Sequence, residues 1–189
     1  MRLTTPLACL LLCSQAHATP GKNLRATVFN EAIAIPFTAL ATTPVHPGFM
    51  AGTSLMSVEG QRLDHRLHLD VGFYHHPLME NAVFVLPTWQ STWWLAPRLG
   101  VSGIAGVGYK HAFYPNTTYS SENGTSSEQF AWGHPEITTT LGFGVKVPIN
   151  NTWALIAQYR GSLDGPFSKE LGMPAMTHIT THIGVEYRR

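Results

Sequence analysis

"TTTLGFGVKVP", residues 138–148, alternates without a break: Thr139, Leu141, Phe143, Val145 and Val147 fall on one parity, and Thr138, Thr140, Gly142, Gly144 and Lys146 on the other. Successive side chains of an extended chain point to opposite faces, so this stretch reads as a strand with one apolar and one polar face. Such a strand fits a water-soluble sandwich or barrel, or a membrane barrel of reversed polarity. Which face meets water decides between them.

Seven other segments repeat the pattern, separated by stretches rich in Pro, Gly, Asn and Asp. The first spans 24–36, where a break near Asn30 and Glu31 predicts a bulge, and the second spans 49–58. In the third, "HRLHLDVGFYH" (65–75), Leu67, Leu69, Val71 and Phe73 oppose Arg66, His68, Asp70, Gly72 and Tyr74. The fourth, 81–95, aligns Val83, Val85, Trp89 and Trp93, and its Pro87 predicts a distortion. The fifth sets Leu99, Val101, Ala105, Val107, Tyr109 and Phe113 against Arg98, Gly100, Ser102, Gly106, Gly108 and Lys110. The opening stretch, extended back to Glu136, is the sixth. In the seventh, Trp153, Leu155, Ala157 and Tyr159 oppose Gln158 and Arg160, with Ile156 the exception. The eighth sets Ile179, Ile183, Val185 and Tyr187 against His178, Thr180, His182, Gly184 and Glu186.

Composition addresses the wet face. Charged residues make up 12% of the chain, about half the usual ~25% share, and the polar parity offers Gly, Thr, Ser and His where a water-facing surface carries many Lys and Glu. Such a face suits a narrow lumen, where a few charges of both signs pair across the interior. Arg66, His68, Asp70, Arg98, Lys110, Glu136, Lys146, Arg160, His182 and Glu186 are the expected lumen network. Trp89, Trp93, Tyr109, Phe113, Trp153, Tyr159 and Tyr187 are expected to form aromatic girdles at the two membrane interfaces. The predicted fold is all-β: an eight-stranded antiparallel transmembrane up-and-down β-barrel, monomeric, with a polar, mostly plugged interior. A formal net charge of +1 offers no basic field for nucleic acid.

"MRLTTPLACLLLCSQAHA" has one basic residue, an apolar run from Leu7 to Cys13 and the small residues Ala16 and Ala18. It reads as a cleaved signal peptide over 1–18, leaving 19–189 as one barrel domain. The apolar run falls short of the ~20 residues that cross a bilayer. Both cysteines lie in the leader, so disulfides cannot stabilise the mature chain. The links after strands two, four and six are compact ("EGQRLD", "APR", "PINNT"), whereas those after one, five and seven are long; "HHPLME" after strand three breaks the contrast. Short turns on one rim and long loops on the other are the habit of outer-membrane barrels.

With the leader, the Gly-rich "GVSGIAGVGYKHAF", the hairpin "LGFGVKVPINNTWALIAQYR" and the closing "THITTHIGVEYRR", the chain resembles the small outer-membrane β-barrel proteins of Gram-negative bacteria, of the eight-stranded OmpA-transmembrane, OmpX or OmpW kind. The portion from "HPGFMAGTSL" to "LHLDVGFYHHPLMENAVFVLP" also resembles uncharacterised barrels of the Bacteroidota type. Such proteins usually end on an aromatic residue, whereas here Arg188 and Arg189 follow Tyr187. The resemblance implies export through the periplasm, insertion by the barrel-assembly machinery, and residence among outer-membrane lipids including lipopolysaccharide. It implies a structural, adhesion or surface-recognition role in the envelope. A narrow pore or small-solute conduit is the second reading, and a lipid A or phospholipid acyl hydrolase the third.

Of the ten histidines, His17 goes with the leader and the rest are scattered; His178 and His182 are read as lumen lining, with no metal and no cofactor expected. His75 and His76 are adjacent and point to opposite faces, and His178 and His182 lie about 13 Å apart on a strand. For a hydrolase, His111 and His75 at the long-loop rim are the candidates, with Ser120 and Ser121 the nearest serines. No compact nucleophile motif accompanies them, and no catalytic residue is assigned. "NTTYSSENGTSSEQ", with sequons at Asn116 and Asn123, reads as a polar surface loop, and "FSKELGMPAM" as a further outer loop over the lumen mouth.

Overall fold

The computed structural model of the chain describes residues 19–20, 23–36, 38, 44–113, 118–122, 125–129, 132–166 and 174–188. The expected leader, both sequon asparagines and most of the loop 167–176 lie outside these residues. Eight long strands make the wall: β1 (Leu24–Ile33), β2 (His46–Val58), β3 (Leu63–His75), β4 (Asn81–Ala96), β5 (Leu99–Phe113), β6 (His134–Pro148), β7 (Trp153–Gly165) and β8 (Met176–Tyr187). Each pairs antiparallel with the next, and β8 returns to β1 with Tyr187 opposite Leu24. The sheet is therefore a closed barrel, and no wall strand is left with an open hydrogen-bonding edge. Thr19–Pro20 adds a short strand on β2, and the link after β5 carries a hairpin of Thr118–Glu122 and Thr125–Gln129. There is no helix among the described residues.

The polarity is inverted relative to a water-soluble barrel. Val28, Leu141 and Ile183 point outward and are 63%, 64% and 64% exposed, whereas His68, Asp70, Lys110 and Glu136 point inward and are at most 2% exposed. Glycines on the inward parity make room for what fills the interior. A Cβ on Gly48 would lie 2.2 Å from the Phe29 ring, one on Gly72 would lie 2.2 Å from the Phe84 ring, and one on Gly52 would lie 2.1 Å from Asp70 Oδ1. Gly184 serves the wall itself, since a Cβ there would come 2.0 Å from the Ala26 carbonyl oxygen of β1.

Several expectations are corrected. No bulge occurs at Asn30 and Glu31, because β1 pairs with β8 without interruption from Leu24 to Ile33. The alternation breaks there because Ala32 faces outward yet is covered, in a cluster with Tyr159 and Ile179 against which Ala34 packs. Beyond it Pro36 lies over Gly161, where a Cβ would come within 2.6 Å of the Pro36 Cβ. Tyr159 is therefore 4% exposed and stacks on Phe143 midway along the wall, which removes it from the expected girdle. Register shifts fall instead between Ser54 and Met56 and between Trp94 and Ala96. Pro87 shifts nothing, as Val85 opposite Tyr109 and Thr88 opposite Gly106 keep one register across it. Arg98 does not reach the lumen: β4 ends at Ala96 and β5 begins at Leu99, so Arg98 occupies the exposed turn between them. Nor is the interior polar throughout, because Phe29, Met50, Tyr74, Ala82 and Phe84 form an apolar cluster across it.

Candidate functional site in the barrel lumen

The inward parities of eight strands converge on one narrow space, and their polar side chains sort into three layers. At the short-turn rim, Arg66 of β3 donates to Glu186 of β8 (3.0 Å) and to Glu59 (2.9 Å), and lies 3.5 Å from Asp64. Lys146 of β6 donates to the same Glu186 oxygen. Trp94 Nε1 caps the layer on Asp64 Oδ2 at 2.9 Å.

The middle layer is built on Asp70. Arg25 of β1 reaches over Gly52 of β2 and grips Asp70 in a fork, Nε to Oδ1 at 2.7 Å and Nη2 to Oδ2, the geometry in which an arginine binds a carboxylate most firmly. The same guanidinium donates to Gln90 (2.9 Å) and Thr88 (2.8 Å). Arg160 approaches Asp70 from the other side at 3.6 Å while donating to Gln158 at 2.7 Å. His182 binds Thr27 (3.1 Å) and Thr180 (2.9 Å), and the His68 ring nitrogens have no hydrogen-bond partner.

The apolar cluster then separates this layer from an outer chamber at the long-loop rim. There Lys110 of β5 sits among three carboxylates, 2.6 Å from Glu80, 2.7 Å from Glu136 and 2.7 Å from Asp164. The ammonium donates to Glu80 and, at 3.3 Å, to the Tyr74 hydroxyl, with the other two carboxylates in ion-pair contact. Tyr74 donates to Glu80, His134 Nε2 lies 2.6 Å from Glu136, and His178 Nδ1 lies 2.7 Å from Glu31. The link from His76 to Glu80 is closed by a backbone hydrogen bond of 3.0 Å, which turns both side chains into the mouth. Burial pushes the Glu80 carboxyl up, but the Lys110 ammonium and the hydrogen bonds from Lys110 and Tyr74 outweigh it and hold the group below its ordinary 4.5. A cavity of about 50 Å³ remains beside the apolar cluster, lined from the middle layer by Arg160 and His182 and from the outer chamber by Glu31, Lys110, Asp164 and His178. That is room for one or two waters, each taking ~30 Å³ in the liquid.

The structure thus brings Arg66, Lys146 and Glu186 together at one end of the lumen, Asp70 and Arg160 in the middle, and Lys110 and Glu136 at the other end, with His68 and His182 buried on the same wall. Arg25, Glu31, Glu80 and Asp164 belong to these layers and were missed. For Arg25 and Glu31 a signal existed, since they oppose Leu24, Ala26 and Val28 on β1, but Phe29 shares their parity and blurs it. On the outer wall, Trp93, Trp153 and Tyr187 gather toward the short-turn rim, with Trp153 and Tyr187 rings 5.0 Å apart, and Tyr109 and Phe113 lie toward the other rim. Trp89 is exposed midway along β4.

The hydrolase candidates are otherwise engaged. His111 holds the Tyr109 hydroxyl and the Trp132 carbonyl, both at 2.7 Å, and His75 holds Asn81. A His–Ser contact does exist on the outer wall, His65 Nδ1 to Ser91 Oγ at 2.9 Å, with Trp89 Nε1 donating to the same oxygen at 3.1 Å. Among the described residues no carboxylate orients His65, which leaves that pair without the third member of a hydrolytic triad.

No protein-family model matches the sequence, and no curated protein matches it. Solved structures do. The chain is similar to the neisserial surface protein NspA at 12% identity and a TM-score of 0.56, over 92% of this chain and 99% of that one. It is also similar to a de novo designed transmembrane β-barrel at 14% identity and a TM-score of 0.51, over 90% and 98%. The fold is that of the small transmembrane β-barrels.

Proposed function

We propose that this chain is an integral outer-membrane barrel that carries its long loops at the cell surface for adhesion or recognition and does not conduct. The observation that carries this reading is the inverted polarity: a buried, ion-paired interior inside a wall whose exposed face is aliphatic and aromatic. Lipid is the solvent that makes such a wall favourable, and a closed barrel leaves no backbone group unpaired within it. Wall strands of 10 to 16 residues suffice to cross the bilayer, for which about 9–11 tilted residues are needed. Outer-membrane lipids, with lipopolysaccharide in the outer leaflet, are the proposed surroundings, and the barrel-assembly machinery the proposed route of insertion. Residence in a Gram-negative envelope after cleavage of a signal peptide is part of the same proposal.

Membrane fractionation followed by heat-dependent gel mobility tests residence: the folded protein should sediment with the outer membrane and migrate differently before and after boiling. A substitution sharpens the test. Leu141→Arg, at the midpoint of β6, should cost about 2–4 kcal/mol when unfolding is measured in lipid vesicles, whereas an exposed site on a water-soluble barrel would change by no more than about 0.5 kcal/mol. A cost near zero would remove the lipid-facing assignment.

The pore reading meets the apolar cluster and the two charged layers flanking it, which together fill the narrow lumen. In planar bilayers the purified protein is expected to give no discrete conductance steps. Steps that persist after repurification of the folded band would reinstate a conduit.

A further inference from the structure

The outer chamber is short of positive charge. Among the described residues it buries four carboxylates, Glu31, Glu80, Glu136 and Asp164, against one ammonium, Lys110. Lys110 is already shared by Glu80, Glu136 and Asp164, and a metal ion placed among those three would lie against the ammonium. Glu31 is different. Its Oε1 holds His178 and its Oε2 has no hydrogen-bond partner although the residue is 0% exposed; Glu80 Oε2, Glu136 Oε2 and Asp164 Oδ1 are unpartnered too, but those carboxylates have Lys110 beside them and Glu31 does not. Glu31 Oε2 faces His46, whose Nδ1 stands 3.6 Å away, too far for a hydrogen bond, and is held on the Glu31 main-chain oxygen at 3.1 Å, which leaves Nε2 as its donor to an ion. His46 pairs with Glu31 across β1 and β2, and His46 and His76 each lie two residues beyond the Gly48–Tyr74 pair of β2 and β3. Two neighbouring strands and the start of the link after β3 therefore bring one carboxylate and two imidazoles together. The two rings lie 3.6 Å apart between centroids, and one donor atom from each of Glu31, His46 and His76 falls within 4.8 Å of the others.

We propose that Glu31, His46 and His76 form a binding site for a first-row divalent transition metal, Zn²⁺ above all, at the long-loop mouth of the barrel. Two imidazoles and one carboxylate suit zinc and its neighbours, while calcium and magnesium prefer sets made of oxygens alone. Three protein donors leave a fourth tetrahedral position open to water or an outside ligand. The ion adds positive charge beside a carboxylate that Lys110 does not reach, and it gives Glu31 Oε2 a partner. His178, held on Glu31 Oε1, positions that carboxylate from behind. The histidines are 7% exposed, so the site is nearly closed from the lumen side while remaining at the rim.

The test is zinc uptake by the full chain, carrying no affinity tag and refolded into detergent, with folding checked by heat-dependent gel mobility. Titration of Zn²⁺ against a chromophoric chelator should give one ion per chain. His46→Ala and His76→Ala should each weaken binding at least about tenfold, and Glu31→Gln, which keeps the size of the side chain, should weaken it likewise. His65→Ala and His75→Ala, on the outer wall, should leave it unchanged. Should an alanine variant fail to fold, zinc K-edge absorption on the unaltered protein decides alone, with scattering from two imidazoles expected. No uptake above that of empty micelles overturns the proposal. So does uptake that survives loss of both His46 and His76, or an absorption spectrum without imidazole scattering.

Discussion

Replacing Asp70 with alanine is expected to destabilise the barrel by about 3–5 kcal/mol, because it strands the Arg25 guanidinium in a space from which water is excluded and takes away the nearest counter-charge of Arg160. The loss is larger than the pair's net contribution. Arg25 was desolvated in exchange for the fork on Asp70, and the two remaining acceptors, Gln90 and Thr88, are neutral. Unfolding in urea, followed by tryptophan fluorescence with the protein in lipid, measures the change. Arg25→Met combined with Asp70→Leu should recover a good part of it, since an apolar pair of similar volume carries no desolvation cost. A loss below about 1 kcal/mol for the single alanine variant would mean that water enters the middle layer and that the lumen is not sealed.

Lys110→Met is the second large effect, again about 3–5 kcal/mol, and its sign with pH is distinctive. In the native chain Lys110 holds Glu80 below its ordinary 4.5, so this contact stabilises the fold above that pH and the stabilisation fades as pH falls through the lowered value. Without the ammonium, Glu80, Glu136 and Asp164 face one another with no cation among them. The variant should then lose stability at neutral pH and regain part of it on acidification, the reverse of the native slope. Parallel unfolding curves at neutral and mildly acidic pH read this directly, and identical slopes for the two proteins would contradict the assignment of Lys110 as the shared counter-ion.

The residues that were placed well from sequence and those that were not differ in a consistent way. Arg66, Asp70, Lys110, Lys146, Arg160 and Glu186 lie inside runs of unbroken alternation, where parity alone states the side of the wall. Arg98 fails because parity was counted one residue past the end of a strand, into a turn that points nowhere in particular. Tyr159 fails for another reason: its parity is right, but a segment more than a hundred residues earlier lies over it, and alternation cannot register a cover. Glu80 and His76 stand in a link, where period two does not apply, and Asp164 lies beyond the point at which strand seven was expected to end. His75 and His76 illustrate both halves of the matter. They do face opposite ways, His75 outward at the end of β3 and His76 inward at the start of the link, yet the partner of His76 is His46, thirty positions away.

Local alternation, the low share of charge and the unequal link lengths were enough to specify eight strands, their order and the reversed polarity of the wall, because each is a property of near neighbours along the chain. Who meets whom inside the cylinder was settled by the register of each strand against its neighbours and by the closure of β8 on β1. The pairing of β1 with β2 and β2 with β3 brings Arg25 to Asp70 and Glu31 to two histidines, that of β5, β6 and β7 brings carboxylates to Lys110, and the closure adds His178 to Glu31 and His182 to Thr27, none of which their spacing in the chain would have joined.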